Sequence, residues 1–172
     1  MAALAVSNNV LNSSYEASGH PVGYAEGQLA FSGSTIKGYS AHMTGLGTLD
    51  TYVATQLIDF AFIASMVAIG VFVATGIARG LSGTRAASAA SLAGVLFIVG
   101  SGFDAVENLI SFVMLTDPSG FPDAIALPYS LAAALRFLAI VPAVILTAAA
   151  LVVLVGRRLT QAFRPDRTLA LL

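Results

Sequence analysis

The chain has 172 residues, room for one domain of ordinary size. Hydrophobic residues make up 57% and charged residues only 10%, against about 25% charged in a soluble domain, so the composition points to a protein embedded in lipid. The net charge of −1 provides no basic footprint for nucleic acid. Cysteine is absent, which excludes disulfides, thiolate metal sites and a cysteine nucleophile. The two histidines, His20 and His42, lie outside the apolar runs, so a bis-histidine haem site within the membrane is excluded. No cofactor and no metal site are expected.

Residues 1–47 are rich in Gly, Ser and Asn and only weakly hydrophobic. They read as a non-cytoplasmic segment, mostly loop from Ser7 to Gly47, with one short helix over Ser34 to Met43 capped by Ser34 or Thr35. No signal-peptide core is present. Asn12-Ser13-Ser14 fits a glycosylation sequon, a match too short to carry weight. The two histidines read as solvated side chains rather than metal ligands.

Three apolar runs follow, spanning residues 52–78, 89–115 and 129–155. A bilayer core of about 30 Å needs about 20 helical residues, so each run is long enough to cross it. Thr48 is the expected N-cap of the first helix, with Asp50 in its first turn where the helix dipole favours an acid. Gly76 to Gly80 reads as a helix end rather than a packing seam. Residues 79–85 form a basic turn. Residues 116–128 hold two aspartates, three prolines and a glycine, which break any helix. Pro142 should kink the third span.

Arginine placement sets the expected orientation. Arg79 and Arg85 flank one turn, and Arg157, Arg158, Arg164 and Arg167 follow the last span. The 116–128 loop carries Asp117 and Asp123 with no base, and the first 50 residues carry only Lys37. The positive-inside rule then places the 79–85 turn and the tail, residues 159–172, in the cytoplasm. Three spans leave the N-terminal segment outside with nothing evident to translocate it. This suggests that a first span is incomplete, with Ala2 to Val6 as its remnant, and that the full form has four helices.

Ionisable groups in the spans are the candidate site. The second run reads SLAGVLFIVGSGFDAVENLISFVML, and Asp104, Glu107 and Asn108 fall at i, i+3 and i+4, on one helix face that Ser111, Gly100 and Ser101 extend. Such groups are costly in lipid and turn toward protein or water. Asp59 and Arg136 each lie roughly 9 Å from their span midpoint, and Asp104 and Glu107 roughly 3–8 Å, all toward the same side. One layer is therefore expected to contain all of them. Arg136 should pair with Glu107 or Asp104, with Asn108 hydrogen-bonding the remaining oxygens. With three acids and one base, at least one carboxyl is expected to carry a proton. Thr55, Gln56, Met66 and Gly70 lie near the Asp59 face; Tyr129, Ala132, Ala139, Ala143 and Thr147 lie near the Arg136 face.

The first reading of this cluster is a brace that holds the helices in register. The alternatives are a proton or small-solute pathway, and an accessory subunit that buries the stripe against a membrane-protein partner. An enzyme is not expected, because the spans hold neither histidine nor lysine to serve as a base.

The layout resembles a set of small bacterial multi-pass membrane proteins, uncharacterised in activity. The resemblance rests on Leu29-Ala30-Phe31-Ser32-Gly33, the stretch from Gly47 to Tyr52, the pair Asp59-Phe60, and a D-x-x-E-N run from Asp104 to Asn108. It implies about four spans and brings no activity with it. The expected fold is an all-α integral membrane bundle. Residues 48–158 form its body, the lipid bilayer is its surroundings, and the oligomeric state is open.

Overall fold

The computed structural model describes residues 2–163. Its elements are α1 (Ala2–Ala17), α2 (Tyr24–Gln28), α3 (Gly33–Leu46), α4 (Leu49–Gly80), α5 (Arg85–Leu115), a 3-10 turn at Asp123–Ile125, and α6 (Ala126–Ala162). The fold is all-α among the described residues. Arg164, Arg167 and most of the expected 159–172 tail lie outside the described residues.

Helices α4, α5 and α6 have 32, 31 and 37 residues. At 1.5 Å per residue each is roughly 45–55 Å long, more than the roughly 30 Å of a hydrocarbon core. All three are apolar enough to cross a bilayer. They pack as an up-down-up bundle with α5 in the centre, in broad contact with both α4 and α6. α6 runs unbroken through Pro142.

The bundle is inverted relative to a soluble one. Phe72, Leu138 and Val152 are at least 70% exposed, and many other aliphatic side chains of the spans face outward. The buried set includes Thr55, Gln56, Asp59, Asp104, Glu107 and Arg136. In water this would leave a large apolar surface uncovered; around a lipid-facing bundle it is the favourable arrangement. Small residues set the helix spacing. A Cβ added at Gly100 would come within 2.7 Å of Ile140 on α6, and one at Gly70 would strike the Phe97 ring of α5.

The N-terminal segment is more ordered than the sequence suggests. Where loop is expected from Ser7, α1 forms a 16-residue helix packed on α4. Ser14 Oγ bonds Thr55 Oγ1 at 2.7 Å, and Thr48 Oγ1 donates to Ser18 O at 2.6 Å, so α1 runs antiparallel to the first half of α4. A run of Asn and Ser lowers helix propensity, and packing on α4 overrides it. The third helix is longer than expected and its cap is Ser32, whose Oγ accepts from Thr35 N at 3.3 Å. Thr48 is the N-cap of α4 as expected, but its hydroxyl ties α1 and α3 to α4 instead of capping.

Residues 18–47 thus cap one end of the bundle. Ile36 of α3 packs with Met114, Phe121, Ala126 and Tyr129 in one apolar cluster. The other end holds Arg79, Arg85, Arg157 and Arg158, with no acidic residue nearby in sequence among the described residues. We refer to the two as the capped end and the arginine end. At the latter, Ile77, Leu81, Ala90 and Ala150 close the bundle, and Thr84 Oγ1 caps α5 by accepting from Ala87 N at 3.2 Å.

Candidate functional site

Each span delivers part of the site through its own periodicity. On α5, Asp104, Glu107, Asn108 and Ser111 share the face turned into the bundle, and all four are buried. On α4 the buried face carries Thr55, Gln56 and Asp59, and on α6 it carries Tyr129, Ala132, Ala133, Arg136 and Ala139. The small alanines around Arg136 bring α6 close enough for its guanidinium to reach α5.

Arg136 is the hub. Its Nη1 donates to Asp104 Oδ1 and lies 3.3 Å from Glu107 Oε2. Its Nη2 donates to Gln28 Oε1 of α2. The guanidinium also sits over the Phe137 ring, 4.4 Å from its centroid. Asp59 belongs to the same buried layer but has different partners: its Oδ2 accepts from Asn108 Nδ2 at 2.8 Å and from the Tyr24 hydroxyl at 3.0 Å. The four charged residues therefore form a buried cluster that links α4, α5 and α6. Removing one partner from such a network leaves an uncompensated charge, so the cluster braces the bundle.

The depth comparison brings Asp59, Asp104, Glu107 and Arg136 together, and Arg136 takes both of the acids proposed for it. Asn108 is placed differently from expectation. It serves Asp59 and not the oxygens left over from the Arg136 pair, because its amide points across to α4. The stripe faces this chain's own bundle.

Two members of the site come from the segment expected to be loop. Tyr24 and Gln28, on the five-residue α2, reach down to Asp59 and Arg136. Burial, and then the nearby Asp59 carboxylate, push the Tyr24 hydroxyl well above its ordinary range, so it remains a donor. The chain leaves α2 through Phe31, which has φ of 51°. Its backbone N–H donates to Ser130 Oγ at 3.0 Å, fixing the segment to α6. A bulky residue in this left-handed region is strained, and such strain persists where surrounding contacts over-determine it. No periodic signal marks Tyr24 or Gln28; the only hint is an aromatic and an amide within a short stretch beside the spans.

A second polar layer lies nearer the capped end. Gln56 Nε2 donates to the Tyr52 hydroxyl at 2.8 Å and to Ser111 Oγ at 3.0 Å. Above it a void of about 20 Å³ touches His20, Tyr39, Tyr52, Ser111 and Tyr129, space for one water. His20 is no solvated loop residue: its ring stacks on Tyr15 at 5.0 Å and lies 5.5 Å from Tyr52. Burial pushes its imidazole below the ordinary range. His42 is exposed. Among the described residues no group of three His, Cys, Asp or Glu could hold a metal ion.

Beside the cluster lies a partly open cleft of about 290 Å³. It is the gap between the α1–α4 pair and α6, with α2 across its end. Its polar side is Asp59, Asp104, Arg136 and Tyr24; its apolar side includes Phe62, Met66, Phe137 and Ile140. Leu11 and Asn12 of α1 complete the wall. A cleft with apolar walls and a few convergent polar groups is the usual form of a small-molecule site.

Comparison with protein-family models, with curated proteins and with solved structures finds no match to this chain.

Proposed function

We propose that the chain is a multi-pass membrane protein whose cluster-lined cleft binds a small amphiphile, entered from the side of the bundle. One observation carries this reading. The buried Asp59–Asp104–Arg136 layer forms one wall of an open cleft whose other wall is apolar. A brace alone does not need such a gap. The polar wall would orient a ligand headgroup while Phe62, Met66 and Ile140 receive its apolar part.

The spans hold no ionisable residue between this layer and the arginine end: none in 60–78, 86–103 or 137–156. A side-chain proton relay through the whole membrane thus lacks its second half, which favours binding over conduction. The inward-facing stripe likewise favours binding over the burial of this face against a partner subunit. We assign the site a binding role rather than a catalytic one.

A photoreactive alkyl diazirine of about six to eight carbons, added to membranes holding the full chain, tests the reading. Labelling should concentrate on Phe62, Met66, Phe137 and Ile140. Labelling that follows exposure alone, strongest at Phe72 and Leu138, would overturn it.

We further propose that the arginine end and the C-terminus are cytoplasmic, supported by the four arginines there. The absence of cysteine makes the test direct. In intact cells a membrane-impermeant maleimide should label Ser119→Cys and spare Ser82→Cys; the opposite pattern reverses the orientation.

A further inference from the structure

We propose that the cleft takes a protonated primary amine with a short apolar chain, and that the Asp59 carboxylate is its counter-ion. This rests on the amphiphile-binding reading above and names the chemistry of the headgroup.

The charge balance of the site is the first argument. Three carboxyl groups face one guanidinium in a buried layer; with one carboxyl protonated, as expected from the excess of acids over bases, one negative charge is left without a cation. Both terminal nitrogens of that guanidinium already have partners. Asp104, Glu107 and Gln28 hold its nitrogens and Phe137 covers its face. No cation within salt-bridge distance serves Asp59 among the described residues, although it is 1% exposed. Buried charges are ordinarily paired, so Asp59 is the site of the missing partner.

The geometry of Asp59 is the second argument. Both of its hydrogen bonds, from Asn108 and Tyr24, fall on Oδ2. Oδ1 makes none among the described residues, and Asp59 lines the cleft. An ammonium group there would meet a free carboxylate oxygen. Asn8 and Asn12 also line the cleft, and their side-chain carbonyls can accept further N–H bonds. A quaternary ammonium has no N–H to offer them, so the primary amine fits better.

The walls are the third. The rings of Tyr24, Phe62 and Phe137 border the same space. Aromatic faces attract a desolvated cation. An anionic headgroup would meet Asp59 and Asp104, and the one nearby cation among the described residues, Arg136, already has two carboxylates as partners. The volume, about 290 Å³, far exceeds the roughly 10–15 Å³ that one water needs, so there is room for an alkyl chain.

The test uses the full chain in phosphatidylcholine nanodiscs. Its thermal unfolding is followed by circular dichroism in the presence of hexylammonium, hexanol or hexanoate at matched concentrations. Three proteins are compared: wild type, Asp59→Asn and Met66→Trp. The asparagine keeps an oxygen to accept from Asn108 and Tyr24, and the tryptophan fills the cleft without touching the cluster. Hexylammonium should raise the wild-type midpoint above the shifts given by hexanol and hexanoate. Asp59→Asn should weaken its apparent affinity by about tenfold or more, the loss of one charged hydrogen bond. Met66→Trp should abolish the effect. An equal response to hexanol, or an undiminished amine effect in Asp59→Asn, overturns the amine assignment. Should hexanol or hexanoate bind in wild type and be blocked by Met66→Trp while the amine is not, the cleft stays an amphiphile site and only the headgroup is wrong. If Met66→Trp changes none of the three responses, both readings fail. The wild-type and Met66→Trp comparison decides even if Asp59→Asn does not fold.

Discussion

The capped end and the arginine end of the same three helices are built on opposite principles. Toward the capped end, the helices are joined by charge and hydrogen bonds: Arg136 to Asp104 and Glu107, Asn108 to Asp59, Gln56 to Ser111. Toward the arginine end they meet through Ala74, Gly94, Ala90 and Ala150, with no polar bond between helices among the described residues. A further 30 residues, 18–47, cover the first, and among the described residues nothing comparable covers the second. In lipid there is little hydrophobic gain from joining two apolar helices, so small residues and polar bonds are the available means of association. This chain uses both toward the capped end, where buried alanines flank Arg136, and small residues without polar bonds toward the arginine end among the described residues. The polar half is costly and directional, and it encloses a cleft; the small-residue half is cheap and tolerant.

If so, a single change in the polar half should matter most. Arg136→Met leaves Asp104 and Glu107 buried without their cation. Breaking a buried pair in this way costs about 3–5 kcal/mol, a large part of a domain's stability. The expected outcome is a strong fall in the yield of folded protein and in the thermal midpoint. A midpoint within a few degrees of wild type would show that the cluster does not brace the bundle.

Next in size is the boundary between the halves. Gly70 on α4 lies against the Phe97 ring of α5, and a Cβ there would sit 2.5 Å from a ring carbon. Gly70→Leu should cost about 1–3 kcal/mol through overpacking. It should do so without altering ligand effects at the cleft. Circular dichroism melts with and without hexylammonium separate the two readouts.

At the arginine end, Thr84→Ala removes the N-cap bond to Ala87 N. The expected cost is about 1 kcal/mol. A loss as large as that of Arg136→Met would erase the distinction drawn between the ends.

Much of the polar half was legible in the sequence because charges in an apolar run have few places to go. The spacing Asp104, Glu107, Asn108 fixed one inward face, and equal depth in the spans matched Arg136 to it across helices that alternate in direction. What stayed hidden were neutral groups from a segment without periodicity. Gln28 and Tyr24 are ordinary loop residues until α2 is folded against the spans, and α1 has the low intrinsic helicity of an Asn/Ser-rich stretch. Their positions come from tertiary contacts such as Ser14–Thr55 and Phe31–Ser130, which no local pattern encodes. The partner of Asn108 was missed for a related reason: an amide can serve any nearby oxygen, and only the helix rotation selects Asp59.

The smallest expected effect concerns pH and is confined to the capped end. His20 is packed against Tyr15, Tyr39 and Tyr52, its Nδ1 lies 3.1 Å from Val22 O, and His42 is the nearby titratable base. Burial lowers its pKa from 6.5. The unfolded chain therefore binds the proton more readily than the folded one, and stability rises with pH in that window. The contribution is complete above about pH 6.5 and falls away as the pH drops below it. Because the ring is only partly buried, solvent screening keeps the effect small. Between pH 7.5 and 5.5, amide exchange in residues 18–47 should quicken slightly while exchange in α5 around Asn108 changes less. His20→Phe should remove the acid-dependent part of that difference, since it retains the stacking and loses the titration. Acid loosening that persists in His20→Phe would place the pH response in the carboxylate layer instead. The two layers of the polar half would then share one titration rather than two.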